Sequence, residues 1–333
     1  MSYQAAGYAM QACPSCYQPV GGPGPCGRCG FDVPVEWLTN VQLSLAVTGA
    51  RTAGKSVLIG VMMDQFECYL KSRQQLLTAA GTTERRFTER YRVPLLQQRN
   101  LLGATPPADQ QPVEPLLWSF NHDGIRFCLS ITDAAGEDFE RLAPNDERFR
   151  YLGFVDFIVT LVDPLKVADV QAVLDGAVTI PRQSGDDIHV MRQVLRARAA
   201  QRVEGGPEQL LAVVLSKFDV LQRLGKLRTA PWQSIFNRPG AAMQRDPWMG
   251  EGIDVDADGR LLHEELVGLL ERMGGGLVEA AAMEAGIPHR LFAVSALGSE
   301  PDAQSVSSGG IIPFRVLDVL RAALAMKEGR LRG

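Results

Sequence analysis

Nothing in the 333 residues approaches the roughly 18 consecutive apolar residues that span a bilayer. The best run, Phe154 to Val162, is nine residues long and is interrupted by Asp156. Met1 to Ala12 has neither a basic start nor an apolar stretch, which argues against a secretory leader and makes the cytoplasm the expected location. Excess positive charge is also missing. With 34 Lys+Arg against 38 Asp+Glu, the net charge of -4 lacks the broad positive field that non-specific nucleic-acid binding requires. The four histidines, His122, His189, His263 and His289, show no metal-ligand spacing and suggest no catalytic triad. Cysteine is sparse outside one cluster: Cys68 and Cys128 are scattered, whereas Cys13, Cys16, Cys26 and Cys29 lie within the first thirty residues. Such clustering in a reducing compartment favours metal over disulfides.

What is present is the composition of a folded globular protein, 46% hydrophobic and 22% charged. At about 150 residues per domain the length allows two domains or one elaborated α/β domain. Cys13-Pro-Ser-Cys16 and Cys26-Gly-Arg-Cys29-Gly30 are two tight Cys-x-x-Cys turns, each presenting two sulfurs to one ion. Together they can complete a tetrahedral zinc site with Zn–S distances of about 2.3 Å and no open position for catalysis. Redox dithiols use the same turn, but two pairs so close make that the weaker reading. The segment resembles the small zinc ribbons at the ends of many intracellular proteins. Residues 1–38 are therefore read as ribbon and linker, dispensable for folding if it and the remaining chain have separate cores.

After Pro34 the pattern changes. Val41 to Thr48 reads as a strand, followed by a glycine-containing turn and a helix over about 55–70. Further strands are expected at Leu116–Asn121, Ile125–Thr132, Val155–Val162, Leu211–Ser216 and Leu291–Val294, and a closing amphipathic helix at Phe314–Lys327. Strands separated by helical crossovers predict an α/β fold with a mainly parallel sheet flanked by helices over residues 39–333. Intervals at about 71–115, 164–209 and 220–288 exceed simple crossovers and are read as helical insertions.

The first strand–helix turn, Gly49-Ala50-Arg51-Thr52-Ala53-Gly54-Lys55-Ser56, satisfies G-x-x-x-x-G-K-[ST] in full. In that pattern backbone N–H groups curl around phosphate oxygens, Lys55 reaches the β- and γ-phosphates, and Ser56 can ligate Mg²⁺. Three more motifs follow apolar strands in order: Asp133-Ala-Ala-Gly136, Ser216-Lys217-Phe218-Asp219, and Ser295-Ala296-Leu297. The set resembles the translation-factor and Ras-related class of GTPases over about residues 40–327. The ribbon and the long insertions are similar, more narrowly, to the bacterial double-GTPase family.

The resemblance implies roles. Asp133 would hold magnesium through water, and Gly136 would bring its backbone N–H to the γ-phosphate. Asp163 is a competing acidic strand end, but Asp163-Pro-Leu-Lys lacks the glycine. Asp219 would accept two hydrogen bonds from guanine, with Lys217 lying along the base and Ser216 standing where Asn or Thr is usual. Ser295 and Ala296 would give backbone contacts to guanine O6, and Leu297 replaces the usual lysine. The second magnesium hydroxyl is assigned to Thr105, with Thr82, Thr83 and Thr88 as alternatives; Gln110, Gln111 and Pro112 continue a polar, turn-prone stretch. Glu137 stands where related switches place a water-orienting Gln, and its charge predicts slow unaided turnover. Arg51 stands where small switches have glycine, so it acts in cis on the transition state, obstructs a partner's arginine, or faces solvent.

A rival metal pattern, Asp254-Val-Asp256-Ala-Asp258-Gly259 with Glu265 at position twelve, matches a calcium loop by count. Against it, Pro247 to Gly252 makes a poor entering helix, and Asp258-Gly259 also serves as an ordinary turn before a helix at Leu261–Met273. The reading is a Mg²⁺-dependent GTP/GDP switch that hydrolyses GTP slowly, with a zinc ribbon for support or docking and a protein effector or activating partner, a second GTPase among the candidates. The alternatives are a nucleotide-binding pseudo-GTPase scaffold and an ATP-dependent P-loop enzyme.

Overall fold

The computed structural model describes residues 11–108, 113–174, 186–226, 230–247, 254–301 and 305–332. The Cys-rich segment forms a two-stranded antiparallel ribbon, β1 (Gly24–Pro25) with β2 (Asp32–Val33). Seven strands follow in one sheet: β3 (Val41–Gly49), β4 (Thr78–Ala79), β5 (Leu116–His122), β6 (Ile125–Asp133), β7 (Phe157–Val162), β8 (Leu210–Leu215) and β9 (His289–Ala293). Their order is β4-β5-β6-β3-β7-β8-β9. The run β6-β3-β7-β8-β9 is parallel, and β4 and β5 add antiparallel at one edge. The sheet is thus the mainly parallel one expected, flanked by helices.

Burial on both faces explains the near-continuous apolar strands. Along β7 the side chains alternate: Phe157, Val159 and Leu161 enter the core that also takes Leu58 and Ile59 of the helix Lys55–Ser72 and Leu320 of the helix Asp318–Arg332. Ile158 and Val162 enter the opposite core, with Val194 of the helix Asp187–Gln201 and Leu266 of the helix Val255–Arg272. Asp156, which interrupts the longest apolar run, is buried but satisfied. It accepts from Ser44 N and Oγ at 2.9 and 3.0 Å and from Lys327 Nζ at 2.6 Å.

The rival calcium pattern gives way to the helix weighed against it, the closing helix starts later than expected, and the ribbon packs on the sheet layer. The calcium loop is a helix: Asp254 caps Val255–Arg272 by accepting from Asp256 N and Ala257 N, and Asp258 pairs with Arg245 and Arg315 at 2.5 and 2.7 Å. Glu265 accepts from Met243 N at 3.0 Å. Carboxylates spread along a helix and spent on arginines cannot wrap one ion; of the entering segment, residues 248–252 lie outside those described. The closing helix begins at Asp318, because Arg315 takes a left-handed φ of 54° and Phe314 pairs with Ser295 across a β-bridge. Finally, among the described residues the ribbon shares its packing with the sheet layer. Cys13, Cys26, Val33 and Trp37 pack with Ala80, Leu117 and Cys128 of the sheet layer, and Tyr17 stacks on Phe154 at 5.2 Å.

Candidate functional site

The phosphate loop occupies the turn between β3 and the helix Lys55–Ser72. Gly49 has φ 133°, and a Cβ there would sit 2.7 Å from the Leu161 carbonyl oxygen, so the loop leaves the sheet by an approach closed to larger residues. Gly54, at φ 93°, turns the chain into the helix. Lys55 is buried, and its Nζ donates to the Gly49 and Ala50 carbonyls at 2.9 and 2.8 Å. Burial lowers its pKa, with the Asp133 charge opposing.

Asp133 ends β6 beside this loop. Its Oδ2 accepts from Ser56 Oγ at 2.9 Å, Tyr91 OH at 3.0 Å and Thr105 Oγ1 at 3.2 Å, and the Ser56 and Thr105 hydroxyls lie 3.0 Å apart. Arg90 Nη2 adds an ion pair at 3.4 Å. Asp133 Oδ1 is buried with no hydrogen-bond partner. Two hydroxyls and a carboxylate with an orphaned oxygen form an oxygen-only set that fits a hard divalent cation. The competing threonines are engaged elsewhere or exposed: Thr83 Oγ1 accepts from Leu117 N at 2.9 Å, Thr88 Oγ1 lies 3.3 Å from Glu84, and Thr82 faces solvent. Of the turn-prone stretch, Gln110, Gln111 and Pro112 lie outside the described residues.

Gly136 packs directly on the phosphate loop. A Cβ there would meet Gly49 O at 2.6 Å and Ala50 C at 2.9 Å. The next residue, Glu137, pairs through Oε1 with Arg51 Nη1 at 2.8 Å, so the two unusual residues of the site engage each other. The half-exposed Arg51 does not simply face water.

At the far end, Lys217 adopts a left-handed φ of 51° and caps the helix Phe218–Gln222, while its Nζ meets Asp163 Oδ2 at 2.5 Å. Asp163 is therefore tied to Lys217 and not to the Ser56 cluster. Asp219 Oδ1 accepts from Ser295 Oγ at 2.6 Å, and that hydroxyl accepts from Gly298 N at 3.0 Å. The Ser216 hydroxyl turns to the Val162 carbonyl at 3.3 Å. One cleft of about 540 Å³ runs from Arg51, Thr52, Ala53, Gly54, Lys55 and Ser56, past Thr105, Gly136 and Glu137, to Ser216, Lys217, Asp219, Ser295, Ala296 and Leu297. That volume falls within the range of about 300–1,000 Å³ usual for small-molecule and cofactor sites.

Sequence reasoning missed a buried relay behind the loop. Lys166 Nζ donates to the Arg51 carbonyl and lies 3.4 Å from Asp187 Oδ1; Asp187 Oδ2 accepts from Asp163 N at 2.5 Å. Burial pushes the Asp187 carboxyl up to about 6 against the pull of Lys166. It also missed Arg90 and Tyr91; burial, then the Asp133 charge, raises the Tyr91 hydroxyl well above its usual range. These residues lie in the insertions, where no motif announces them.

The four N-terminal sulfurs lie within 4.8 Å of one another, with Cys13–Cys29 and Cys16–Cys26 separations of 3.7 Å. A regular tetrahedron with Zn–S of about 2.3 Å has edges of about 3.8 Å, so the set fits zinc. Burial raises the Cys13 and Cys16 thiols, Cys16 to about 11. At Cys26 burial is outweighed by the backbone N–H groups of Cys29 and Arg28, and the thiol falls to about 7. Among the described residues the other close group is His122, Asp123 and Glu328, where His122 Nδ1 and Glu328 Oε1 already share a hydrogen bond of 2.6 Å. No helix among the described residues is long and apolar enough to cross a membrane.

A relative in Mycolicibacterium smegmatis (strain ATCC 700084 / mc(2)155), described as "Putative ESX-1 scaffolding and assembly protein SaeC", is 35% identical over 307 residues, covering 89% of this chain and 78% of the relative. The family model Double-GTPase 2 matches residues 44–246, a span that takes in Gly49–Ser56, Asp133–Gly136 and Ser216–Asp219 and stops short of Ser295–Leu297. That family points to a GTP-binding domain, and the chain belongs to it.

Proposed function

We propose that this chain is a guanine-nucleotide switch that binds GTP and GDP with Mg²⁺ and hydrolyses GTP slowly without a partner. The observation that carries this reading is the convergence of Ser56, Thr105 and Asp133 on one oxygen cluster beside Lys55, in the cleft whose other end holds Asp219 and Ser295. Lys55 and the loop N–H groups bind the phosphates, while Ser56, Thr105 and Asp133 hold the metal, Thr105 and Asp133 belonging to segments that respond to the terminal phosphate. Bound magnesium would supply charge neutralisation between the β- and γ-phosphates. Gly136 presents its backbone N–H next to the loop. Glu137, where a water-orienting amide is usual, is paired with Arg51, which offsets its charge beside the terminal phosphate. Asp219 selects guanine because its carboxylate accepts where guanine N1–H and N2–H₂ donate. The zinc ribbon supports the sheet edge and offers a surface for a protein partner.

A second reading is a pseudo-GTPase, a nucleotide-binding scaffold without turnover. Glu137 in the water-orienting position favours it, as does the scaffolding and assembly function in the relative's name. Equilibrium titration with GTP, GDP, ATP and xanthosine triphosphate, followed by single-turnover hydrolysis, separates the readings. Guanine nucleotides should bind at least about tenfold more tightly than ATP, and Asp219→Asn should invert the order of GTP and xanthosine triphosphate. Equal affinity for ATP and GTP sinks the guanine assignment; tight GTP binding with no phosphate release over hours selects the scaffold.

A further inference from the structure

The stretch Thr88–Gln97 is wound as a π-helix, a geometry that recurs at functional sites. It is seated against the helix Lys55–Ser72 at Gly60, where a Cβ would meet Leu95 and Tyr91 at 3.3 and 3.4 Å. The seat brings two consecutive residues of the 71–115 insertion to one carboxylate: Tyr91 OH at 3.0 Å and Arg90 Nη2 at 3.4 Å from Asp133 Oδ2.

The two contacts differ in kind. Tyr91 is buried and a neutral donor at ordinary hydrogen-bond length. Arg90 keeps about a third of its side chain in solvent, at 34%, and its contact is long for a hydrogen bond, so what it brings to Asp133 is charge. The Asp133 side chain is only 5% exposed, and a buried carboxylate needs a compensating cation. Lys55 has its ammonium on the Gly49 and Ala50 carbonyls. Among the described residues, the cation paired directly with Asp133 is Arg90. Beside it lies a cavity of about 30 Å³ bounded in part by Arg86, Thr105 and Glu114, and the guanidinium carbon lies 5.5 Å from the centroid of the Tyr91 ring.

We propose that Arg90 is a charge latch on the magnesium carboxylate: its guanidinium and a divalent cation compete for Asp133, and the competition sets how much Mg²⁺ the nucleotide-bound chain requires. The inference rests on the GTPase reading above. Two cations at one buried carboxylate repel each other in a medium that screens poorly. A metal held by the Ser56–Thr105–Asp133 oxygens would therefore weaken the Arg90 contact at Oδ2, and loss of that contact would report metal occupancy to the insertion that carries it.

The test titrates Mg²⁺ against N-methylanthraniloyl-GDP fluorescence in wild type, Arg90→Ala, Arg90→Lys and Tyr91→Phe, each checked for native circular dichroism. Arg90→Ala should lower the Mg²⁺ midpoint about fivefold or more, the low end of a measurable coupling, and Arg90→Lys should stay within about twofold of wild type. Tyr91→Phe, which removes a neutral donor, should not lower it. An unchanged or raised midpoint in Arg90→Ala overturns the latch alone, and so does an equal fall in Tyr91→Phe, which would mean lost packing. Wild-type GDP binding indifferent to Mg²⁺ overturns the magnesium-dependent reading together with the latch.

Discussion

Asp187 shows how one buried side chain makes stability depend on pH. An unfolded aspartate titrates near about 3.9, and burial raises this one to about 6, so the fold favours its protonated form. The stabilisation is complete below about pH 4 and is lost as pH rises through about 6. Asp187→Asn keeps a carbonyl oxygen for Asp163 N while removing the titration. Between pH 4 and pH 7 the variant should gain on wild type by up to about 3 kcal/mol, at 1.36 kcal/mol per pKa unit. Urea unfolding across that range reads the difference, and parallel pH profiles would refute it. Arg51 carries a second residue-scale expectation. Its pairing with Glu137 offsets the carboxylate charge that would otherwise face the terminal phosphate. Arg51→Gly should therefore slow single-turnover hydrolysis while leaving GTP affinity within about threefold. An unchanged or faster rate would assign Arg51 to obstruction or to the surface.

Among the elements, the contact between the Gly49–Ser56 loop and the turn after β6 is a backbone-to-backbone constraint inside the candidate site. Gly136 lies against backbone, and backbone cannot swing aside as a side chain can. Gly136→Ala should cost about 1–3 kcal/mol by overpacking and weaken GTP about tenfold or more, because relief of the clash must move the loop. Thermal melting and nucleotide titration measure both; wild-type values for both would mean the two segments separate freely. The same scale explains why the acidic pattern at Asp254–Glu265 belongs to a capped helix. Alternating aspartates look alike whether they surround an ion or cap a helix. The choice fell to Asp254, which satisfies the first N–H groups of Val255–Arg272, and to Arg245 and Arg315, which neutralise Asp258.

For the molecule as a whole, the ribbon and the α/β sheet are one folding problem. Trp37 packs among Leu117 and Cys128, and its Nε1 donates to the Ala12 carbonyl at 2.8 Å. One zinc per chain should be recovered by metal analysis, and Cys26→Ser should remove it and lower the melting temperature of the entire protein in a single transition. Trp37→Ala should cost about 3–5 kcal/mol without touching a sulfur. If Cys26→Ser melts like wild type, the ribbon is an independent appendage after all.

Local chemistry was legible from the sequence. Gly49–Ser56, the later strand-end motifs and the paired Cys-x-x-Cys turns stand out by their short spacing, and β3 and β5–β9 each run for five residues or more. The two-residue strands β1, β2 and β4 are too short to leave a period, and Arg315 delays the start of the closing helix to Asp318 through a backbone angle that composition does not encode. Tertiary structure alone decided that Arg51 pairs with Glu137, that Arg90 and Tyr91 meet Asp133, and that Lys166 links the Arg51 carbonyl to Asp187. The physical reason is that these contacts are charges and hydroxyls meeting across tens of residues. Their partners are chosen by where the sheet and the packed helices deliver them, and chain spacing records nothing of that delivery.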